Sequence, residues 1–176
     1  MHILFLILLV FVISAAVAGI SAAPWVPTKP SQRKRLLKNL TLSDTEIIVD
    51  LGCGDGSMLF AVSRLYPNAT CIGYDISLLP LCIGWMRKLL GGKRYCNVHI
   101  RFGNLFRINL TDADVIFVFL MAKAYPRLVT MFQDTLKNTC RVVVEAWPLP
   151  DVIPSQVINE ENMLTVYIYE GKSFKK

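Results

Sequence analysis

Six short apolar runs alternate with helical patterns along most of the chain, and this alternation constrains the fold more than any other feature. The runs lie at residues 46–51, 70–76, 98–103, 114–120, 141–147 and 164–170, with helical patterns near 57–65, 78–90 and 123–138. Strands that are apolar on both faces and separated by helices form a parallel sheet that is covered on both sides. The last run alternates aliphatic and aromatic residues, which indicates an antiparallel strand at or near an edge. We therefore predict an α/β fold with a doubly wound, mostly parallel sheet.

The N-terminus carries an apolar segment, residues 3–23, without one charged residue. As a helix these 21 residues would be about 31 Å long, enough to cross a hydrocarbon core of about 30 Å. No acid occurs before Asp44, whereas five Lys and Arg residues lie between 29 and 38, which places this flank on the cytoplasmic side of a membrane. The alternative is a secretory signal cleaved after "AVA" at 16–18, but the segment lacks a basic start.

The rest of the chain divides into a connection and one domain. Residues 23–32, "APWVPTKPSQ", contain three prolines and are predicted to be extended, with Ser31 capping a short basic helix after them. We predict a transmembrane anchor at 1–23, a linker and basic helix at 24–45, and a single domain at 46–176. The net charge of +6 includes this basic flank, which suits a membrane surface, and no nucleic-acid motif accompanies it.

The first predicted strand runs into a glycine-rich turn, "VDLGCGDG", at residues 49–56. Gly52, Gly54 and Gly56 follow a G-x-G-x-G spacing, which differs from the G-x-G-x-x-G of nicotinamide and flavin sites and from a P-loop. Asp55 inside the turn would repel a pyrophosphate but suits a cationic ligand. Asp75 ends the second strand, where an acid accepts hydrogen bonds from ribose hydroxyls. The turn therefore predicts a ligand with an adenosine ribose and no pyrophosphate.

These motifs resemble those of class I S-adenosylmethionine-dependent methyltransferases, which have a Rossmann-like sheet. The resemblance implies that Gly52, Gly54 and Gly56 cradle the methionine part of S-adenosylmethionine, that Asp50 contacts its ammonium, and that Asp75 binds the ribose. It further implies adenine contacts from Asn104 and the amide of Leu105, in "FGNLF". It spans about residues 46–170.

A closer resemblance includes the anchor, "WVPT", "NLFRINLTDADVIFVFL" and "WPLP". Together they are similar to small membrane-anchored protein-lysine methyltransferases of mitochondria, which act on the adenine nucleotide carrier and on the c-subunit of ATP synthase. The chain departs from that group at "FLMAKAYP" and "YDIS", which leaves its acceptor open. The resemblance implies a single-pass membrane enzyme, in a mitochondrial membrane if the source is eukaryotic. It also implies that the "WVPT" stretch, residues 25–28, lies near the site.

The catalytic group is less well defined than the cofactor site. Methyl transfer to an amine needs alignment, exclusion of water and an acceptor for a proton. Glu145 is the one acid in the segments after the fourth and fifth strands, so it is the candidate base, although a structural acid paired with a neighbour is the commoner role at a strand end. Trp147 and Pro148 are candidates for the wall of the acceptor site. The two histidines and the scattered cysteines predict no metal site.

Three functions remain open from the sequence. The first is methylation of a lysine on a membrane protein, which the anchor favours because tethering concentrates targets in the same bilayer. The second is methylation of a small hydrophobic acceptor such as a lipid or quinone. The third is a membrane-tethered module that binds the cofactor without transferring methyl groups.

Overall fold

The computed structural model describes residues 2–175, and its centre is one seven-stranded sheet. The strands are β1 (Ile47–Leu51), β2 (Thr70–Asp75), β3 (Val98–Phe102), β4 (Val115–Val118), β5 (Arg141–Glu145), β6 (Gln156–Ile158) and β7 (Val166–Glu170). Their order is β3-β2-β1-β4-β5-β7-β6, with β1 to β5 parallel and with β7 antiparallel to both β5 and β6. The predicted mostly parallel α/β sheet is confirmed, including the antiparallel strand near an edge.

Helices cover both faces of this sheet. They are α1 (His2–Ser21), α2 (Pro30–Asn39), α3 (Ser57–Leu65), α4 (Leu78–Gly91) and α5 (Tyr125–Thr135). One core cluster joins α2, α3 and α4 to residues such as Ile48, and the other joins α5 to residues such as Val49. Neighbouring residues of β1 therefore enter opposite layers, as a strand buried on both faces requires.

Two local predictions from the sequence are wrong. Helix α2 begins at Pro30 rather than after Ser31, and Lys29 precedes its first turn. Proline has a fixed φ suited to a helix and lacks the N–H that the first turn leaves unsatisfied, so the first helical position suits it. Strand β6 was not predicted, because it has only three residues, two of them exposed, and is too short to show a strand pattern.

Helix α1 does not project freely from the domain. Among residues 2–175 it is the one helix long and apolar enough to cross a membrane. Its C-terminal half contacts the domain: the Leu78 amide donates to Ser14 Oγ at 3.2 Å, and Lys123 Nζ donates to the Gly19 carbonyl at 2.6 Å. Ala18 and Ala22 are buried on the same side. The apolar helix and the folded domain therefore form one packed unit.

We predict that Phe132→Ala lowers the free energy of unfolding by about 3–5 kcal/mol, because it empties a core site. Phe132 is fully buried on α5 and meets the Phe174 ring edge-on, with centroids 5.3 Å apart. Urea unfolding of the full chain in detergent measures the change. Phe102→Ala, at an exposed position, is the control, and an equal loss in both variants would contradict the packing described.

Candidate functional site

A cleft that is partly open to solvent lies at the carboxyl ends of the parallel strands. Its floor consists of the ends of β1, β2, β4 and β5 with the turns that follow them. Its roof consists of the last turn of α1 and the extended segment 22–28 that leads to α2. Ligands of doubly wound sheets bind at this end of the strands, so the cleft is the candidate site.

The glycine turn forms the floor beneath the roof. Gly52, Gly54 and Gly56 all have positive φ, between 54° and 82°, which side chains with a Cβ rarely adopt. At Gly54 a Cβ would lie 2.6 Å from atoms of the Trp25 indole, so the glycine also permits the roof to approach the floor. The Gly54 amide donates to Asp75 Oδ2 at 2.8 Å. Local sequence and a distant tryptophan therefore shape the same turn.

Two of the predicted acids flank this turn in different electrostatic states. Asp75 is buried, and its Oδ1 also accepts from the Ser77 amide at 2.7 Å, so backbone amides stabilise its charge. Asp50 is only 7% exposed. Burial, together with the nearby carboxylates of Asp75, Glu145 and Asp55, raises the pKa of Asp50 to about 8. Asp50 thus resists ionisation in the absence of a cation.

Asp55 is already neutralised. Its Oδ2 pairs with Arg87 of α4 at 3.0 Å, and its Oδ1 accepts from the Ser57 amide at the start of α3. Asp55 therefore lines the cleft, and its two contacts connect the turn to α4 and to the start of α3. Asp50 and Glu145 are therefore the two acids of the cleft whose ionisation burial disfavours.

Glu145 ends β5 and is 5% exposed. Burial raises the pKa of Glu145 to about 7, against opposing effects of Gln32 and Arg35 on α2. Its Oε2 is buried without a hydrogen-bond partner among residues 2–175. The next residue, Ala146, has φ of 78°, a strained conformation for a residue with a Cβ. Glu145 thus lines the cleft with a carboxyl group of near-neutral pKa, one oxygen of which is buried and unpartnered among residues 2–175.

The remaining predicted residues divide between the cleft and its surroundings. Asn104 and Leu105 line the cleft, where Asn104 Oδ1 accepts from the Phe106 amide at 3.0 Å. Gly56 does not line it, because its missing Cβ leaves room for Ile100 and Phe60 in the core. The predicted wall of Trp147 and Pro148 is not found: both residues are exposed and lie outside the cleft lining.

Sequence reasoning did not identify several residues of the site. Gln32 and Arg35 belong to a helix that reads as a basic, solvated element, yet both are buried beside Glu145. Arg35 Nε and Nη1 are buried without a partner in the described part of the chain. The roof residues Ala18 and Ala22 read as part of a membrane span. The one sequence signal for the roof was the tryptophan of "WVPT", which a plain linker would not need.

Comparison with known proteins identifies the family. The model of the ANTKMT methyltransferase domain matches residues 50–156, from the last acid of β1 to the start of β6. This chain belongs to the ANTKMT methyltransferase domain family. It is accordingly an S-adenosylmethionine-dependent methyltransferase, as the resemblance in the glycine turn implied.

Two relatives extend the similarity beyond this segment. The ATP synthase C-subunit lysine N-methyltransferase of Xenopus laevis is 27% identical over 155 residues, 87% of this chain and 66% of that protein. A protein-lysine N-methyltransferase of Saccharolobus islandicus (strain REY15A) is 29% identical over 153 residues, 83% of this chain and 92% of that protein. The methyltransferase thus spans about two thirds of the first relative and nearly all of the second.

Solved structures support the same fold. An RNA methyltransferase from Salinibacter ruber, in complex with S-adenosyl-L-homocysteine, has a TM-score of 0.76 at 23% identity, covering 82% of this chain and 93% of its own. A precorrin-6y C5,15-methyltransferase from Geobacter metallireducens GS-15 has a TM-score of 0.61 at 20% identity, covering 81% and 87%. At these identities the likeness shows the Rossmann-like methyltransferase fold alone.

We predict that the free energy of unfolding falls as pH rises from about 4 to about 8. A carboxyl group whose pKa is raised by folding binds its proton more tightly in the folded chain, so its contribution is lost as that proton leaves. For Asp50 the pKa rises from 3.8 to about 8 on folding. Urea unfolding of the cofactor-free chain in detergent should show a smaller decline for Asp50→Asn. The exposed control Asp44→Asn should match the wild type, and an unchanged decline in Asp50→Asn would contradict the assignment.

Proposed function

We propose that this methyltransferase transfers a methyl group from S-adenosylmethionine to a lysine side chain of a membrane protein. The observation that carries the proposal is the roof of the cleft, formed by the last turn of the apolar helix α1. A site roofed by a membrane anchor meets acceptors in the same bilayer first. The names of the two relatives, both lysine N-methyltransferases, support the lysine.

The charges and hydrogen-bond acceptors of the cleft support S-adenosylmethionine as its cofactor. S-adenosylmethionine carries a sulfonium and an ammonium, and the raised pKa of Asp50 reflects a site that lacks such a cation. We assign the ammonium to Asp50 and the methionine part to the turn at Gly52 and Gly54. The ribose hydroxyls go to Asp75, whose carboxylate oxygens keep lone pairs beyond the two amide hydrogen bonds.

The adenine end and the cover complete the cofactor site. Asn104 and Leu105 stand at the end of β3, on the same side of the cleft as Asp75, and are proposed to contact the adenine. Trp25 lies against Gly54 and covers the methionine end. When bound, S-adenosylmethionine supplies a methyl group on an already electrophilic sulfur, so the protein needs no nucleophile of its own.

Glu145 is proposed to prepare the acceptor lysine. A lysine arrives as an ammonium ion and must lose a proton before its nitrogen can attack. The unpartnered Oε2 can accept a hydrogen bond from that ammonium, and a pKa of about 7 allows the carboxylate to take the proton at neutral pH. Gln32 and Arg35 of α2 favour the charged form of this carboxylate. Burial of the lysine in the cleft lowers its own pKa and assists the transfer.

The proposed location follows from the anchor. Helix α1 would span the membrane once, with the basic residues of α2 and the catalytic domain on the cytoplasmic side. In a eukaryote the membrane would be mitochondrial, in keeping with the ATP synthase C-subunit that the name of the Xenopus relative contains. The acceptor lysine would lie close to the bilayer surface, because the cleft begins where α1 ends.

We predict that Asp75→Asn weakens S-adenosylmethionine binding by at least about tenfold, because it removes one charged hydrogen-bond acceptor. Titration calorimetry of the full chain in detergent measures the dissociation constant. Asp44→Asn, an exposed acid outside the cleft, serves as the control and should bind as the wild type does. Equal affinity in Asp75→Asn and wild type would refute the ribose assignment.

We predict that Glu145→Gln lowers the rate of methyl transfer by about 10²–10⁴-fold while cofactor affinity stays within a few-fold. The assay follows tritiated methyl groups from S-adenosylmethionine into membranes, separated into protein and lipid fractions, with lysine identified after hydrolysis. Glu145→Asp should recover part of the rate, and the exposed control Glu160→Gln should retain all of it. Label in the lipid fraction instead of the protein fraction would show that the acceptor is a small hydrophobic molecule and not a lysine. Absence of any transfer by a chain that binds the cofactor would favour a binding module.

A further inference from the structure

Helix α4 carries an apolar stripe that no other part of the described chain covers. It consists of Leu79, Cys82, Ile83, Met86, Leu89 and Leu90, all exposed. At about 100° per residue these six side chains fall within an arc of about 120°. The opposite side of the helix, with Pro80, Leu81 and Gly84, is buried against the sheet. The α4 stripe is therefore a second apolar face on a helix that already has its core contact.

The α4 stripe is continuous with the membrane helix. Helix α4 begins where the Leu78 amide donates to Ser14 Oγ of α1. From Ser14 onward, α1 is held to the domain by this bond and by the bonds to the Gly19 and Ala22 carbonyls. The free part, residues 2–13, is about 18 Å long, whereas a hydrocarbon core is about 30 Å thick. Helix α1 cannot reach across that core while docked unless the part of the domain beside it enters the membrane as well.

The charges around α4 favour contact between the α4 stripe and a lipid surface. No acid occurs between Ile76 and Thr111, a segment that includes the whole of α4. The same segment holds six basic residues: Arg87, Lys88, Lys93, Arg94, Arg101 and Arg107. Lys93 and Arg94 follow the helix directly and are exposed. An apolar stripe that ends in exposed cations is typical of helices that lie in the interface of an anionic leaflet.

We propose that the α4 stripe is a second membrane-contact surface, seated among the acyl chains at the headgroup boundary of the leaflet that α1 enters. The inference rests on the membrane location proposed above but requires neither the lysine acceptor nor the cofactor. The proposal determines the depth of the cleft relative to the membrane. Strand β2 delivers Asp75 to the cleft and leads through Ser77 directly into α4, so a submerged α4 fixes the cleft at headgroup level. The acceptor group must then lie at that level.

The chain carries its own probe for this contact. Cys82 lies in the α4 stripe and Cys96 lies beyond the helix, and both are exposed, whereas Cys53, Cys71 and Cys140 are buried. The full chain is placed at one copy per lipid nanodisc that contains anionic lipid, and it is treated with a membrane-impermeant maleimide. Peptide mass spectrometry then gives the labelling rate of each cysteine. We expect Cys82 to react at least tenfold more slowly than Cys96.

Matched variants separate lipid contact from other causes of protection. Met86→Glu with Leu90→Glu places two charges in the stripe, at positions 57% and 81% exposed, and should raise the Cys82 rate to within about twofold of Cys96. Leu65→Glu, 59% exposed at the end of α3, should leave Cys82 protected. Circular dichroism confirms that each variant is folded.

Three labelling outcomes would overturn the proposal. Equal rates for Cys82 and Cys96 in the wild-type nanodisc mean that α4 is in water. Protection that appears only with two or more copies per disc assigns the stripe to a second copy of the chain. If Leu65→Glu also loses the protection of Cys82, the loss reflects a general disturbance of the protein and not the charges placed in the stripe. Because labelling needs no cofactor or acceptor, a protected Cys82 together with absent methyl transfer would refute the proposed function and leave the membrane contact standing.

Discussion

One cleft contains four carboxyl groups, those of Asp50, Asp55, Asp75 and Glu145. The charge of the site depends on how burial and mutual repulsion affect each of them. Backbone amides stabilise Asp75, and Arg87 neutralises Asp55. Burial raises the pKa values of both Asp50 and Glu145, and the neighbouring carboxylates raise that of Asp50 further. A cation bound beside these two carboxyl groups favours their ionised form. S-adenosylmethionine, with its sulfonium and its ammonium group, provides such positive charge.

The roof connects this electrostatic arrangement to the apolar helix α1. The last turn of α1 and the segment that carries Trp25 close the cleft from above. The same segment leads into α2, which brings Gln32 and Arg35 to Glu145. Residues before the matched family segment, 50–156, thus contribute to both ends of the site. Separating α1 and the segment after it from the domain would therefore remove part of the cleft.

The floor of the site could be predicted from the sequence because it is local. A buried strand, a glycine turn and a helix follow one another within residues 47–65, and their geometry is set by neighbours in the chain. The roof could not be predicted in the same way. Trp25 meets Gly54, and Arg35 approaches Glu145, only after distant segments pack together. Strand β6 was missed for a different reason, since three residues, two of them exposed, are too few to show a strand pattern.

The most direct test of the electrostatic account is the number of protons released when S-adenosylmethionine binds. Calorimetric titrations of the full chain near neutral pH, in buffers with different ionisation enthalpies, give this number. A bound cation lowers the pKa of Asp50 and Glu145, so the account predicts net proton release that decreases in Asp50→Asn. Tight binding without proton release, or with proton uptake, would contradict it.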